Sequence, residues 1–105
     1  MTDTILTKAR INHRETRFPK PPAGTYAVYM DDVTAGGADG YNCIFTHDIT
    51  VELYEAAPDP DAEKALEAEL DAAGLEWTKQ SRYWLQTEQR YQVIYEFTYR
   101  TKRRA

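Results

Sequence analysis

Two runs of strict alternation constrain this chain more than any other feature. From Tyr41 to Leu53 the odd positions read Tyr41, Cys43, Phe45, His47, Ile49, Val51 and Leu53. The even positions read Asn42, Ile44, Thr46, Asp48, Thr50 and Glu52. Nearer the C-terminus, Tyr91, Val93, Tyr95, Phe97 and Tyr99 alternate with Gln92, Ile94, Glu96, Thr98 and Arg100. Successive side chains of a strand point to opposite faces, so each run predicts a long strand with one buried face. His47 and Asp48 place polar groups within the first run and predict a bend or bulge there. Tyr26, Val28 and Met30 predict a third strand. Tyr83 to Thr87 predicts a fourth, joined to the last strand through Glu88-Gln89-Arg90 as a hairpin. Trp77 falls on a short strand, and Lys8 to Phe18 reads as one more.

One segment has helical rather than alternating periodicity. Ala62, Ala65, Leu66, Leu70 and Ala73 form an apolar stripe over Pro60 to Ala73. Asp59 can accept from the free amides of the first turn, and Pro60 suits the first helical position, where no N–H is needed. Asp61 and Glu63 favour the positive end of the helix dipole, and Gly74 supplies a stop. Glu63, Glu67 and Asp71 read as the outer face, either solvated or docking a basic partner. Pro19 to Gly24, with three prolines, cannot be regular structure. Asp31 to Gly40 reads as an acidic, flexible loop. The economical architecture is α+β: a mostly antiparallel sheet with one main helix, about 60–73, packed on one face. With 105 residues the chain fits a single domain, with a basic segment at 1–24 and a basic tail at 100–105.

Charge is unevenly spread. The net charge is −4, but residues 1–22 carry +3, residues 23–78 carry −12 and residues 79–105 carry +5. Basic ends can lie beside the acidic middle within one fold. Equally, the basic surface of one copy can meet the acidic surface of the next. Both readings stand at this level. No apolar run approaches the roughly 20 residues that span a bilayer, and Met1 to Leu6 lacks the character of a signal peptide, so the expectation is the cytoplasm and no membrane. The single cysteine, Cys43, precludes an internal disulfide.

Reactive chemistry finds little support. Cys43 and His47 share a strand face but lie about 13 Å apart along it, too far for one tetrahedral metal site. His13 is the other imidazole. Asp31, Asp32 and Asp39 lack the spacing of a calcium-binding loop. The lone serine, Ser81, sits in no nucleophile elbow, and Gly36 to Gly40 matches no phosphate-cradling pattern. The expectation is therefore no enzyme, no catalytic or metal residue and no cofactor. Nucleic-acid binding has one argument, since aromatic Tyr91, Tyr95, Phe97 and Tyr99 precede Arg100, Lys102, Arg103 and Arg104. Against it, the alternation makes those aromatics a core face, and the chain is acidic overall.

The order of segments resembles the tail-terminator, or tail-completion, proteins of long-tailed bacteriophages and prophages. The matching pieces are Gly24 to Met30 (GTYAVYM), Thr46 to Tyr54 (THDITVELY), the helix from Asp61 to Ala73 with Gly74-Leu75, and Ser81 to Glu88 running into Tyr91 to Phe97. The N-terminal segment reads as departing from the helix-like start of that family. The resemblance implies a structural protein that caps the head-proximal end of the tail tube as a hexameric ring, ending tail growth and aiding head–tail joining. Its partners would be further copies, the major tail protein and head connector proteins, in the host cytoplasm during assembly and then in the virion tail. A subunit interface is expected between Arg100, Lys102, Arg103 and Arg104 of one copy and Glu63, Glu67 and Asp71 of the next. The loop residues Asp31, Asp32, Gly36, Gly37, Asp39 and Gly40 are expected to contact tail or connector. The alternatives are another head–tail connector or protein-interaction module, and then a single-stranded nucleic-acid-binding domain.

Overall fold

A computed structural model describes residues 1–37 and 42–104. The elements are α1 (Thr2–Lys8), β1 (Asn12–Glu15), β2 (Tyr26–Gly36), β3 (Asn42–Glu55), α2 (Pro60–Ala72), β4 (Trp77–Lys79), β5 (Tyr83–Leu85) and β6 (Arg90–Arg104). The strands form one sheet in the order β1-β2-β3-β6-β4, with β5 also on β6. Among the described residues only β1 and β2 pair in parallel. The fold is thus α+β and mostly antiparallel, as the alternation predicts.

The register explains the burial. Ala27, Leu53 and Val93 share one cross-strand row; Tyr29, Val51 and Tyr95 share the next; Asp31, Ile49 and Phe97 follow. These rows face the helices. With Leu66 and Leu70 of α2 and Ile5, Leu6 and Ile11 of the N-terminal segment they make the core. The odd positions of β3 and β6 are therefore the buried ones, and Tyr95 and Phe97 are core aromatics rather than a stacking platform.

Helix α2 begins and ends as its sequence predicts. Asp59 Oδ1 accepts from the Ala62 amide at 3.1 Å, and Thr25 Oγ1 donates to Asp59 Oδ2 at 2.6 Å, tying the cap to the start of β2. At the other end the Leu75 amide donates to the Leu70 carbonyl and the Gly74 amide to that of Asp71, with Gly74 at φ 73°. This closing motif needs a left-handed residue after the helix, which glycine adopts without steric cost. Asp59→Ala removes both side-chain bonds and is expected to cost about 1–2 kcal/mol in urea unfolding. A loss below a few tenths would show that Pro60 sets the helix start unaided.

Several expectations are corrected. The N-terminus is a helix followed by a four-residue strand, not a strand from Lys8 to Phe18. The expected departure from a helical start therefore disappears. The same closing geometry ends α1: Ile11 N–H reaches Leu6 O, Arg10 N–H reaches Thr7 O, and Arg10 takes the left-handed conformation at φ 60°. Asp31 to Gly36 is not loop but the second half of β2, paired residue by residue with Ile49 to Ile44. Gly37 lies outside regular structure, and Asp39 and Gly40 lie outside the described residues. His47 and Asp48 make no bulge, because β3 keeps a one-to-one register with both neighbours through them. Their polar groups are met across the strands instead. His47 stacks on Tyr99 at 4.5 Å, Asp31 lies 2.9 Å from its Nδ1, and Thr98 Oγ1 donates to Asp48 at 2.8 Å.

Candidate assembly surfaces

The acidic side of α2 turns inward, contrary to the expectation of an outer face. Glu63 is buried. Its Oε2 accepts from Arg82 at 2.6 Å, and its Oε1 lies 2.9 Å from Lys79 Nζ. Glu67 is half-buried; its Oε2 accepts from Lys79 at 2.7 Å and from the Tyr95 hydroxyl at 2.6 Å. Asp71 is exposed and accepts from Trp77 Nε1 at 2.9 Å. The physical reason is distance in sequence: Lys79, Arg82 and Tyr95 come from β4, the β4–β5 connection and β6, which the sheet brings under the helix. These three acids thus have partners within their own chain.

Glu55 completes this cluster and was not singled out from sequence. It continues the buried series Ile49, Val51, Leu53 at the end of β3, and that parity is the signal that could have found it. Arg82 Nε donates to its Oε1 at 3.2 Å, while its Oε2 is buried without a donor among the described residues. Burial, then the hydrogen bond and charge of Glu63, push the Glu55 carboxyl up to about 7 against the pull of Arg82. Burial also acts to raise Glu63, but hydrogen bonds from Glu55, Lys79 and Arg82 overcome it and bring Glu63 down to about 2. The two neighbouring carboxyls are thus pushed in opposite directions, Glu55 toward its protonated form and Glu63 toward its ionised form. A small recess of about 280 Å³ opens beside it, lined by Glu63, Lys79, Gln80, Ser81 and Arg82. The cluster can titrate, and it joins α2 to β3, β4, the β4–β5 connection and β6.

Among the described residues the other face of the sheet carries no helix. Its lower end is covered by the proline segment: Arg90 donates to the carbonyls of Pro22, Ala23 and Gly24 at 2.9–3.0 Å and stands over the Tyr26 ring. Phe18 meets Tyr26 edge-on at 5.4 Å, and Tyr54 stacks on it at 5.1 Å. Further up, this face is polar. An open groove of about 1200 Å³ runs from there round the β4 edge to Asp71 and Leu75 at the end of α2, with Asp32, Asp48, Glu96, Glu76 and Arg100 among its lining. Asp32 and Arg100, assigned to different surfaces from sequence, thus share one groove. Lys102 is exposed on the same face. Arg103 and Arg104 extend β6, but their side chains lie outside the described residues, as does that of Cys43. Basic Lys8, Arg10, Arg14, Arg17 and Lys20 are all exposed on the flank of α1 and β1.

Beyond the core the sheet continues as a three-stranded arm. Residues 32–37 of β2 and its end are exposed, as are Ile44 of β3 and Arg100 to Lys102 of β6. The 15 residues of β6 alone extend about 50 Å at strand rise, matching the longest dimension of 50 Å. Among the described residues no group of three His, Cys, Asp or Glu side chains could hold a metal ion, and no helix is long and apolar enough to cross a membrane.

Fold and surfaces define a small α+β protein whose sheet outruns its helical cover and presents charged strand surfaces to its surroundings. No protein-family model and no curated protein matches the chain. Among solved structures it is similar to a chain of the virion of a native gene transfer agent (GTA) particle. That similarity has a TM-score of 0.64 at 18% identity and covers 94% of this chain and 84% of the other. The likeness is one of fold.

Proposed function

We propose that this chain is a phage-type virion structural protein that caps the head-proximal end of the tail tube as a ring, ends tail growth and aids head–tail joining. The observation that carries the reading is the fold likeness to a virion chain over nearly the whole length of this one. The segment order that resembles tail-completion proteins supports the finer role, and α1 brings the N-terminus into line with it. On this reading its neighbours are further copies, the major tail protein and the head connector, and its work is binding rather than catalysis. Arg100, Lys102, Arg103 and Arg104 serve contacts between copies. Asp31, whose carboxylate meets His47, stiffens the arm rather than reaching out.

Particles assembled without the protein are expected to carry tail tubes of unregulated, excess length and unjoined heads in negative-stain images. Adding the purified protein should restore uniform tails, with a label at their head-proximal end. Tails of normal length in its absence would overturn the capping role, and a label confined to the head side would move the protein to the connector.

A further inference from the structure

The arm has two open edges. β1 accompanies β2 only as far as Tyr29, where the Thr16 amide bonds the Tyr29 carbonyl. From Met30 to Gly36, β2 has only β3 beside it among the described residues. β5 and β4 accompany β6 over Arg90–Gln92 and Tyr95–Phe97; from Thr98 onward β6 also has only β3 among the described residues. Such edges present rows of unpaired amides and carbonyls, a template for another strand.

The two edges are complementary in direction and in charge. β2 and β6 are each antiparallel to β3, so they run the same way. The outer edge of β6 in one copy can therefore pair in parallel with the outer edge of β2 in the next, both copies keeping one orientation. Such a contact is heterologous and repeats until rotation closes it. The β6 edge carries exposed Arg100 and Lys102; the β2 edge carries exposed Asp32 on the same outward face. None of the three has an ionic partner among the described residues. Pairing β6 with β6 would set Arg100 and Lys102 against their own kind, so the charges oppose a symmetric dimer and favour the head-to-tail contact.

We infer that neighbouring copies join by parallel pairing of the β6 edge beyond Phe97 with the β2 edge beyond Tyr29, and that Asp32 faces Arg100 and Lys102 across the junction. This rests on the ring reading and names its contact. It also moves the acidic partner from α2, whose Glu63 and Glu67 are engaged internally, to β2.

The test uses the full chain with Cys43→Ser. One pool carries Asp32→Cys, a second, mass-tagged pool carries Arg100→Cys, and the mixed assembly is treated with a bifunctional maleimide spanning about 10 Å, enough for one register step either way. Links between the two pools are expected to dominate, and a chain bearing both cysteines should close into covalent rings. Lys102→Glu should lower the ring fraction about tenfold at fixed concentration, and adding Asp32→Lys should restore it. Rings that form without links between pools, or with links only inside a pool, overturn the contact and leave the ring reading standing. Chains that stay monomeric both alone and on tail tubes overturn both.

Discussion

Arg82→Met is expected to lower the free energy of unfolding by about 2–4 kcal/mol, because it leaves two carboxyl groups under α2 without their shared cation. Glu55 and Glu63 have side chains 0% and 6% exposed, so water cannot replace the guanidinium. For a domain whose whole stability is of order 5–15 kcal/mol this is a large fraction, and the melting temperature should fall by about 10 °C or more. Glu55→Gln in the same background should recover part of the loss above pH 7, where Glu55 ionises and needs the cation while a neutral amide does not. A loss below about 1 kcal/mol would mean that Lys79 alone balances the cluster.

The same cluster gives stability a defined pH dependence. Glu55 lies above its ordinary value of 4.5, so its contribution is complete below that value and is lost as pH rises through about 7. Glu63 lies below 4.5, so its contribution is complete above that value and is lost as pH falls toward about 2. The two limbs overlap near pH 5, where urea midpoints should be highest. They should decline between pH 5 and 8, and Glu55→Gln should flatten that limb. A wild-type profile flat from pH 5 to 8 would mean that Glu55 is not held above its ordinary range.

Leu6→Ala is expected to cost about 2–5 kcal/mol, the range for a buried leucine whose cavity cannot collapse. Leu6 is fully buried and belongs to the same core as Leu66, Leu70 and Val51. A seven-residue helix has too few hydrogen bonds to persist alone, so its helicity depends on that packing. Hydrogen exchange of the amides from Ile5 to Ile11 should rise toward the unfolded rate in the variant. A cost below 1 kcal/mol would make α1 a peripheral attachment.

What could be read from the residues was what depends on near neighbours. The parity of β3 and β6 is written in alternation, and a strand keeps that parity whichever strands flank it. The span of α2 is written in Asp59, Pro60 and Gly74, whose effects act within one turn. The core aromatics follow from the same parity. Helix α1 escaped because its N-cap, Met1, has no side-chain cap bond and its apolar pair is too short to show a period. Asp31 to Gly36 escaped because acidic and glycine-containing residues favour a loop until a partner strand offers a ladder, and β3 offers one. The inward turn of Glu63 and Glu67 was invisible because Lys79, Arg82 and Tyr95 meet them only through the sheet. Sequence by itself determined the α+β class, the long strands and their buried sides, since these are set by local periodicity and capping. Only tertiary structure decided which acids are engaged inside the molecule and which strand edges stay open, since both depend on pairings between residues far apart in the chain.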